Sequence, residues 1–380
     1  MITVLYICPD PTMGGSTQSL LNSIKSVEGK VKPIVLFMRD GIACKLFREH
    51  GIECIVFPYV KLHLFPQNNR WWQLLRHPRR IRFVRLFLME KACVKYVKNY
   101  LSGRHVDIVH SNYSSLLIGR ELSIALKTKH VWHIREFLEK GVHVKNRPFG
   151  GYFLLKALIN RADARIFVSH QAQAHWGLKQ KNSWVIPCPI ASASDSCYNS
   201  EKEPFILFCS YHVTRAKGAL LAVNAFGKSG LFTEGIRLTY VGNCTDQIRS
   251  EILNVARNYG CGSAIDFVPC QNNVKPYFSQ AKAFIMASVD EGLGRVTAEA
   301  MFYGCPVLAL DSGGTKDLIK NHETGDLFRS ENECGALLQQ VCHTSQEPMI
   351  RRAQDFAMSN LTIEVHGPRL MQVYNAVLCA

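Results

Sequence analysis

Ser288 to Leu318 reads SVDEGLGRVTAEAMFYGCPVLALDSGGTKDL, and within it Glu291 and Glu299 stand eight positions apart. Gly292 and Gly294 follow the first glutamate and permit tight turns and close backbone approach to a ligand. A run of helix formers, Thr297 to Tyr303, comes next and stops at Gly304 and Pro306. The pattern is a glycine loop that opens a helix. A helix start presents unpaired N–H groups and partial positive charge, so it receives a phosphate well. Glu291 falls in the loop and Glu299 about one turn inside the helix, so the two carboxylates reach different parts of one ligand. Carboxylates accept hydrogen bonds from hydroxyls, and together these features point to a phosphate-bearing sugar. Taken alone, a glutamate pair at this spacing equally describes a solvated helix face.

The flanks decide between the two. With Cys305-Pro306-Val307 and the turn Asp311-Ser-Gly-Gly-Thr315, the string resembles the E-x7-E signature of glycosyltransferase family 4, the retaining nucleotide-sugar glycosyltransferases of group 1. The resemblance implies an α/β fold of the GT-B kind: two Rossmann-like domains facing a cleft, with a C-terminal helix crossing back to the first. It also assigns donor-binding roles to Gly292, Gly294, Arg295, Val296 and Glu299, and a catalytic role to Glu291.

The chain has 380 residues, comfortable for two hydrophobic cores. With 47% hydrophobic and 20% charged residues it is neither disordered nor fibrous. The stretch Met1 to Cys8 lacks a basic leader and breaks at Pro9, so it reads as a first strand, not a signal peptide. No run is apolar enough for a transmembrane helix. The fourteen cysteines are scattered singly, as small buried hydrophobes are in a reducing compartment, and the cytosol is the expected location.

The first half alternates strand-like and helical runs, the pattern of a parallel sheet with crossover helices. Strands are expected at Ile2–Cys8, Pro33–Phe37, Cys54–Tyr59, Val106–His110, His130–Ile134 and Ala164–Ser169. Gly14 and Gly15 turn the first strand into the first helix, where doubly wound sheets bind phosphate or sugar, though no G-x-G-x-x-G is present. His133, Arg135 and Glu136 end a strand, on the side where such sheets take ligands. They resemble the family's H-x-R-E loop, which makes His133 and Arg135 catalytic candidates approaching the sugar and acceptor. His110 and Ser111 end the preceding strand, and burial against the sheet is the expectation for them.

Between Lys61 and Arg104 eleven Lys and Arg face one acid, Glu90, so 44 residues supply +10 of the +15 formal charge. Trp71, Trp72 and several aliphatic residues are interleaved, which suits an anionic membrane surface. A solvated basic helix face is the alternative. No nucleic-acid recognition motif accompanies the bases, so nucleic acid is not an expected partner.

A polar stretch, Ala191 to Glu203, reads as the linker. The expected domains are 1–188, with 362–380 packing back on it, and 189–361. Strands in the second half are expected at Phe205–Cys209, Arg237–Val241, Ala264–Val268, Ala283–Ala287 and Val307–Leu310. After the first of these come Arg215, Lys217 and Gly218, bases at a helix start that would clamp a diphosphate. The family carries Gly-Arg where Ser210-Tyr211 stands here, and Arg215 is the expected substitute. Gly242 resembles the family's next cleft-lining glycine.

The expected activity is retaining transfer of a sugar from a nucleoside diphosphate sugar to an acceptor hydroxyl. That acceptor is a lipid-linked glycan in cell-surface polysaccharide synthesis, reached by an enzyme peripheral to the cytoplasmic face of the membrane. No cofactor is expected, and no metal, because no D-x-D triplet or His/Asp cluster is present. The rivals are a nucleotide-sugar 2-epimerase and a non-enzymatic basic membrane adaptor on a degenerate transferase fold.

Overall fold

The computed structural model describes residues 1–59, 79–137, 151–289 and 291–380, without the side chains of 79–86 and 151–154. Contacts divide it into two compact units, Met1–Pro187 with His366–Ala380, and Cys188–Val365.

The first unit runs β1 (Ile2–Cys8), α1 (Gly15–Lys25), β2 (Val31–Phe37), α2 (Ile42–Glu49), β3 (Glu53–Val56), α3 (Arg79–Tyr100) and β4 (Ile108–Ser111). It continues through α4 (Leu117–Leu126), β5 (Lys129–Ile134), α5 (Gly151–Asn160), β6 (Ala164–Phe167), α6 (His170–Trp176) and β7 (Ser183–Val185). The strands form one parallel sheet in the order β3-β2-β1-β4-β5-β6-β7. Parallel sheets are covered on both faces, so their strands are continuous apolar runs, and Val4 to Cys8 of β1 are fully buried. The chain order reverses between β1 and β4, and such a switch point leaves an opening at the carboxyl ends of the strands.

The second unit runs β8 (Glu203–Val213), α7 (Ala219–Ser229), β9 (Arg237–Cys244), α8 (Asp246–Asn258), β10 (Ile265–Val268), α9 (Lys275–Gln280) and β11 (Ala281–Met286). It continues through α10 (Arg295–Phe302), β12 (Val307–Leu310), β13 (Asp326–Phe328), α11 (Glu331–His343) and α12 (Glu347–Asn360). Its parallel sheet has the order β10-β9-β8-β11-β12-β13, with the switch point between β8 and β11. The short edge strand β13 was not anticipated, because three residues carry no periodicity to read. Strand β8 runs four residues beyond the expected Cys209, through a register shift between Cys209 and His212.

The last helix, α13 (Ile363–Leu378), enters the first unit at His366. Leu370, Val373, Tyr374 and Val377 share one helical face and are buried in the cluster holding Leu20, Leu21 and Ile24 of α1. Each such side chain contributes roughly 2 kcal/mol by leaving water. The Ala191–Glu203 stretch lies inside the second unit, not between units. There Ser196 donates to the Phe302 carbonyl at 3.0 Å and Gln354 to the Cys197 carbonyl at 2.7 Å. Its polar residues satisfy backbone groups in place of solvent.

The basic stretch Lys61–Arg104 is described only in part. Trp71, Trp72 and Arg76 lie outside the described residues, and α3 carries Arg79, Arg80, Arg82 and Arg85 on its backbone. No helix among the described residues is long and apolar enough to cross a membrane.

Candidate active site

In the second unit the switch-point strands β8 and β11 each end in a glycine turn. After β8, Thr214 caps a single 3-10 turn, Arg215 to Lys217, by accepting from the Lys217 N–H at 3.3 Å. Gly218 then takes φ 81°, and a Cβ there would lie 2.3 Å from the Ala287 carbonyl oxygen just past β11. Only glycine lets the two loops approach this closely. The approach brings Lys217 to Glu291, and its Nζ forms an ion pair with Glu291 Oε1.

The Glu291 loop is backed by the Asp311–Thr315 turn, whose Gly314 N–H donates to the Glu291 carbonyl at 2.8 Å. Asp311 pairs with Lys316 at 2.9 Å and Arg329 at 3.0 Å, and these bonds hold its carboxyl below the usual range. Gly294, at φ 84°, caps α10 without a side chain, so no side-chain oxygen covers the first-turn N–H groups. Two fully buried hydroxyls, Thr297 Oγ1 and Thr315 Oγ1, flank Gly294 and have no hydrogen-bond partner. A buried polar atom left unpaired costs stability, and such atoms gather where a ligand or water completes the set. Val296 lies beside them in the first turn of the helix.

Arg295 is turned inward. Its Nε bonds Glu299 Oε1 at 2.9 Å, Nη1 donates to the Pro189 carbonyl at 3.0 Å and Nη2 to that of Ile190 at 3.4 Å. Burial pushes the Glu299 carboxyl up, and Arg295 opposes that shift. Arg215 pairs with Glu251 of α8 at 2.6 Å on a side chain 65% exposed, while Lys217 takes Glu291. Gly242 lies in β9 against the Ser210 backbone, where the sequence expects a lining glycine.

In the first unit the loops after β1, β4 and β5 meet. Gly14 caps α1, and the following Gly15 and Ser16 open it. Ser16 accepts at its Oγ from the Tyr113 hydroxyl at 2.9 Å and at its carbonyl from Asn112 Nδ2 at 3.3 Å. Arg135 Nε donates to Asn112 Oδ1 at 2.7 Å. Glu136 accepts from Ser114 N–H at 3.1 Å and Arg135 N–H at 3.0 Å, which makes it a staple between loops. His133 is 1% exposed, and its Nε2 has no partner. His110 and Ser111 are buried, as expected. The sequence reading missed Asn112 and Ser114, whose only signal is polarity just after a strand. It also missed His366, which donates from Nδ1 to the Pro187 carbonyl at 3.0 Å. Among the described residues no group of three His, Cys, Asp or Glu is placed to hold a metal.

Residues 203–347 match the family described as "Glycosyl transferases group 1". The matched stretch lies within the second unit. The chain is also 27% identical over 150 residues to a Campylobacter jejuni protein. That relative is named GalNAc-α-(1→4)-GalNAc-α-(1→3)-diNAcBac-PP-undecaprenol α-1,4-N-acetyl-D-galactosaminyltransferase, and the match covers 39% of this chain and 40% of the relative. A Haemophilus influenzae protein named "Uncharacterized glycosyltransferase" is 32% identical over 80 residues, 21% of this chain and 23% of the relative. The matched stretches thus span less than half of either relative's length.

Whole-chain likeness comes from solved structures. Anabaena HepE in complex with UDP-glucose superposes with a TM-score of 0.79 at 17% identity, covering 99% of this chain and all of that one. Sucrose-phosphate synthase from Thermosynechococcus elongatus does so at 0.77 and 18% identity, covering 100% of both. The fold is therefore that of the GT-B glycosyltransferases.

Proposed function

We propose that this chain is a retaining glycosyltransferase that moves a sugar from a nucleoside diphosphate sugar to an acceptor hydroxyl. The observation that carries the reading is the Lys217–Glu291 pair beside the uncapped start of α10. One cation, first-turn N–H groups and two buried, unpartnered hydroxyls belong to these adjoining loops, and they are donors of the kind a diphosphate takes. As the donor's bond to its sugar breaks, negative charge develops on the departing diphosphate. Lys217 and the α10 start stabilise that charge electrostatically. Glu291 takes sugar hydroxyls, and Glu299 takes the ribose with the oxygen that Arg295 leaves to it. The chemistry requires no metal on this assignment.

The acceptor in this reading is a lipid-linked glycan at the cytoplasmic face of a membrane. Support comes from the basic composition of 61–104, the exposed Phe87 and Leu88 of α3, the undecaprenol-linked acceptor in the Campylobacter relative's name, and fourteen free cysteines. The test is a thermal-shift panel of nucleotide sugars, since a ligand that binds only the folded state raises its apparent stability. The stabilising donor is then assayed for nucleoside diphosphate release with and without a lipid-linked acceptor. Acceptor-dependent release is expected, whereas release without acceptor, or no stabilising donor at all, contradicts the reading.

A further inference from the structure

At the amino-terminal ends of β5 and β6, the edge of the first sheet opposite to His133 and Arg135, the last turns of α4 and α5 line a cavity of about 320 Å³. Small-molecule sites run from roughly 300 to 1,000 Å³, so this space suits a compact ligand larger than a lone ion. Three cations line it, Arg120, Lys127 and Arg161, against one acid, Asp163. That acid is already engaged: its Oδ2 accepts the His130 N–H at 2.8 Å and its Oδ1 pairs with Lys129 at 3.7 Å. His130 lines the cavity as a neutral ring, lowered to about 3 by burial first and by the Arg120 charge second. The lining therefore carries positive charge in excess.

Cations just past a helix often serve its carboxyl end, where free carbonyls carry partial negative charge. Here those carbonyls are taken by other groups. The N–H groups of Lys127 and Thr128 donate to the Ile124 and Ser123 carbonyls at 3.2 and 2.9 Å, which closes α4. At the end of α5 the Arg161 and Ala162 N–H groups take the Leu158 and Ile159 carbonyls, each at 3.1 Å, and buried Arg165 takes that of Asn160 at 2.9 Å. Arg120 pairs with Glu121 at 3.0 Å, a carboxylate it shares with Lys91 at 3.4 Å. The side chains of Lys127 and Arg161 have no hydrogen-bond or ion-pair partner among the described residues. Lys127 also holds φ 55° and ψ 46°, the left-handed conformation that glycine takes with less strain, so its side chain is no requirement of the turn.

The remaining wall suits a hydroxylated body. Ser123 donates its hydroxyl to the Arg120 carbonyl at 2.8 Å and Thr128 donates to that of Asp107, which leaves oxygen lone pairs to accept from a ligand. Ile124 and Leu158 add apolar surface.

We propose that this cavity is a second binding site, separate from the candidate active site, for a phosphate ester with a short hydroxylated body, its phosphate held by Arg120, Lys127 and Arg161. The planar arginine fork matches phosphate oxygens, and lysine adds a point charge. A free sugar phosphate and the headgroup of an anionic phospholipid share this chemistry. The site does not depend on the transfer reaction proposed above.

The experiment uses the full chain with Lys217→Ala as parent, so that the charged corner of the second unit takes no part. Calorimetry of glucose 6-phosphate and glycerol 3-phosphate, and co-sedimentation with phosphatidylcholine vesicles with and without phosphatidylglycerol, compare this parent with Lys127→Gly and Arg161→Gln added to it. Lys30→Gln with Lys32→Gln, two exposed charges at β2, is the charge-matched control. One probe should bind the parent, lose about tenfold or more in affinity when Lys127 and Arg161 are replaced, and stay within about twofold of the parent in the control. Loss for a soluble ester assigns a free metabolite, and loss for the anionic vesicles alone assigns a lipid headgroup. Binding of no probe to the parent, or equal affinity in the cavity variant and the control, overturns the proposal. Lys127→Gly relieves backbone strain, so if Arg161→Gln prevents folding, Lys127→Gly alone decides by the same comparison against Lys30→Gln. No sugar donor is added, so failure here leaves the transfer reaction standing.

Discussion

At the strand ends of the first unit the polar groups are buried, neutral at the imidazoles and bonded to one another, whereas the corresponding loops of the second unit pair a half-exposed lysine with a mostly buried glutamate beside glycine turns. His133 and Arg135 are at most 9% exposed; Lys217 is 42% exposed. The first arrangement is set by folding itself, and its geometry is fixed before any ligand arrives. In the second, Lys217 pairs with Glu291 among the described residues, and a phosphate can share or replace that partner. One region is built to orient, the other to exchange charge.

The largest difference should appear on acidification. His110, His130, His133 and His366 of the first unit are buried neutral, and burial depresses His130 and His366 to about 3. Their unfolded value is about 6.5, so the stability they contribute is present above that pH and lost as pH falls toward the folded values. At pH 5 the loss is about 2 kcal/mol for each of His130 and His366. In the second unit His343 shifts the other way, held up by the Gln339 carbonyl and Glu234. Thermal melts at pH 7 and pH 5 should therefore show the transition of the first unit falling much further than that of the second. Equal shifts would erase the contrast.

Arg295→Met comes next. It leaves Glu299 as a largely buried carboxylate without its cation, a change that costs about 3–5 kcal/mol. Burial raises the Glu299 carboxyl above its unfolded value, so the group destabilises the fold as pH rises through the window between the two. The variant's deficit relative to wild type should shrink as pH falls from 7 toward 5, which urea titration of both proteins at each pH measures. No recovery would mean that Arg295 serves the Pro189 and Ile190 carbonyls alone.

Glu291→Gln and Glu299→Gln should each lower turnover on the order of 10²-fold, with the circular dichroism spectrum unchanged. Near-normal turnover at saturating donor would remove that glutamate from its role. The smallest effect belongs to Arg215→Ala. Its guanidinium is exposed and engaged by Glu251, so the affinity for UDP should stay within about twofold of wild type. A larger loss would return it to the diphosphate clamp that the sequence places there.

These contrasts also explain what could be read in the chain. The second unit's candidate site could be proposed from the chain because Glu291, Gly294, Glu299 and the Asp311 turn fall within one contiguous string, and glycines at fixed offsets declare a backbone need. Arg295 shows the limit: the family resemblance gave it a donor-binding role, but only coordinates show its nitrogens turned to Glu299, Pro189 and Ile190. The first unit's network was mostly illegible. His110 meets Tyr374, and Asn112 meets Arg135, through packing between elements distant in sequence. A lone histidine on an apolar strand looks the same whether it packs or works. The parallel-sheet rhythm was readable because buried strands are continuous apolar runs, and it failed at β13, which has three residues.

The central claim is that the Lys217–Glu291 corner of the second unit binds the diphosphate of the donor. Calorimetric titration of UDP, GDP and ADP into wild type, Lys217→Ala and His133→Gln tests it most directly. One of the nucleotides should bind wild type, lose about tenfold or more in affinity with Lys217→Ala, as removal of a charged hydrogen bond predicts, and bind His133→Gln as wild type. Equal affinity for wild type and Lys217→Ala, or binding of none of the three to wild type, would contradict the account.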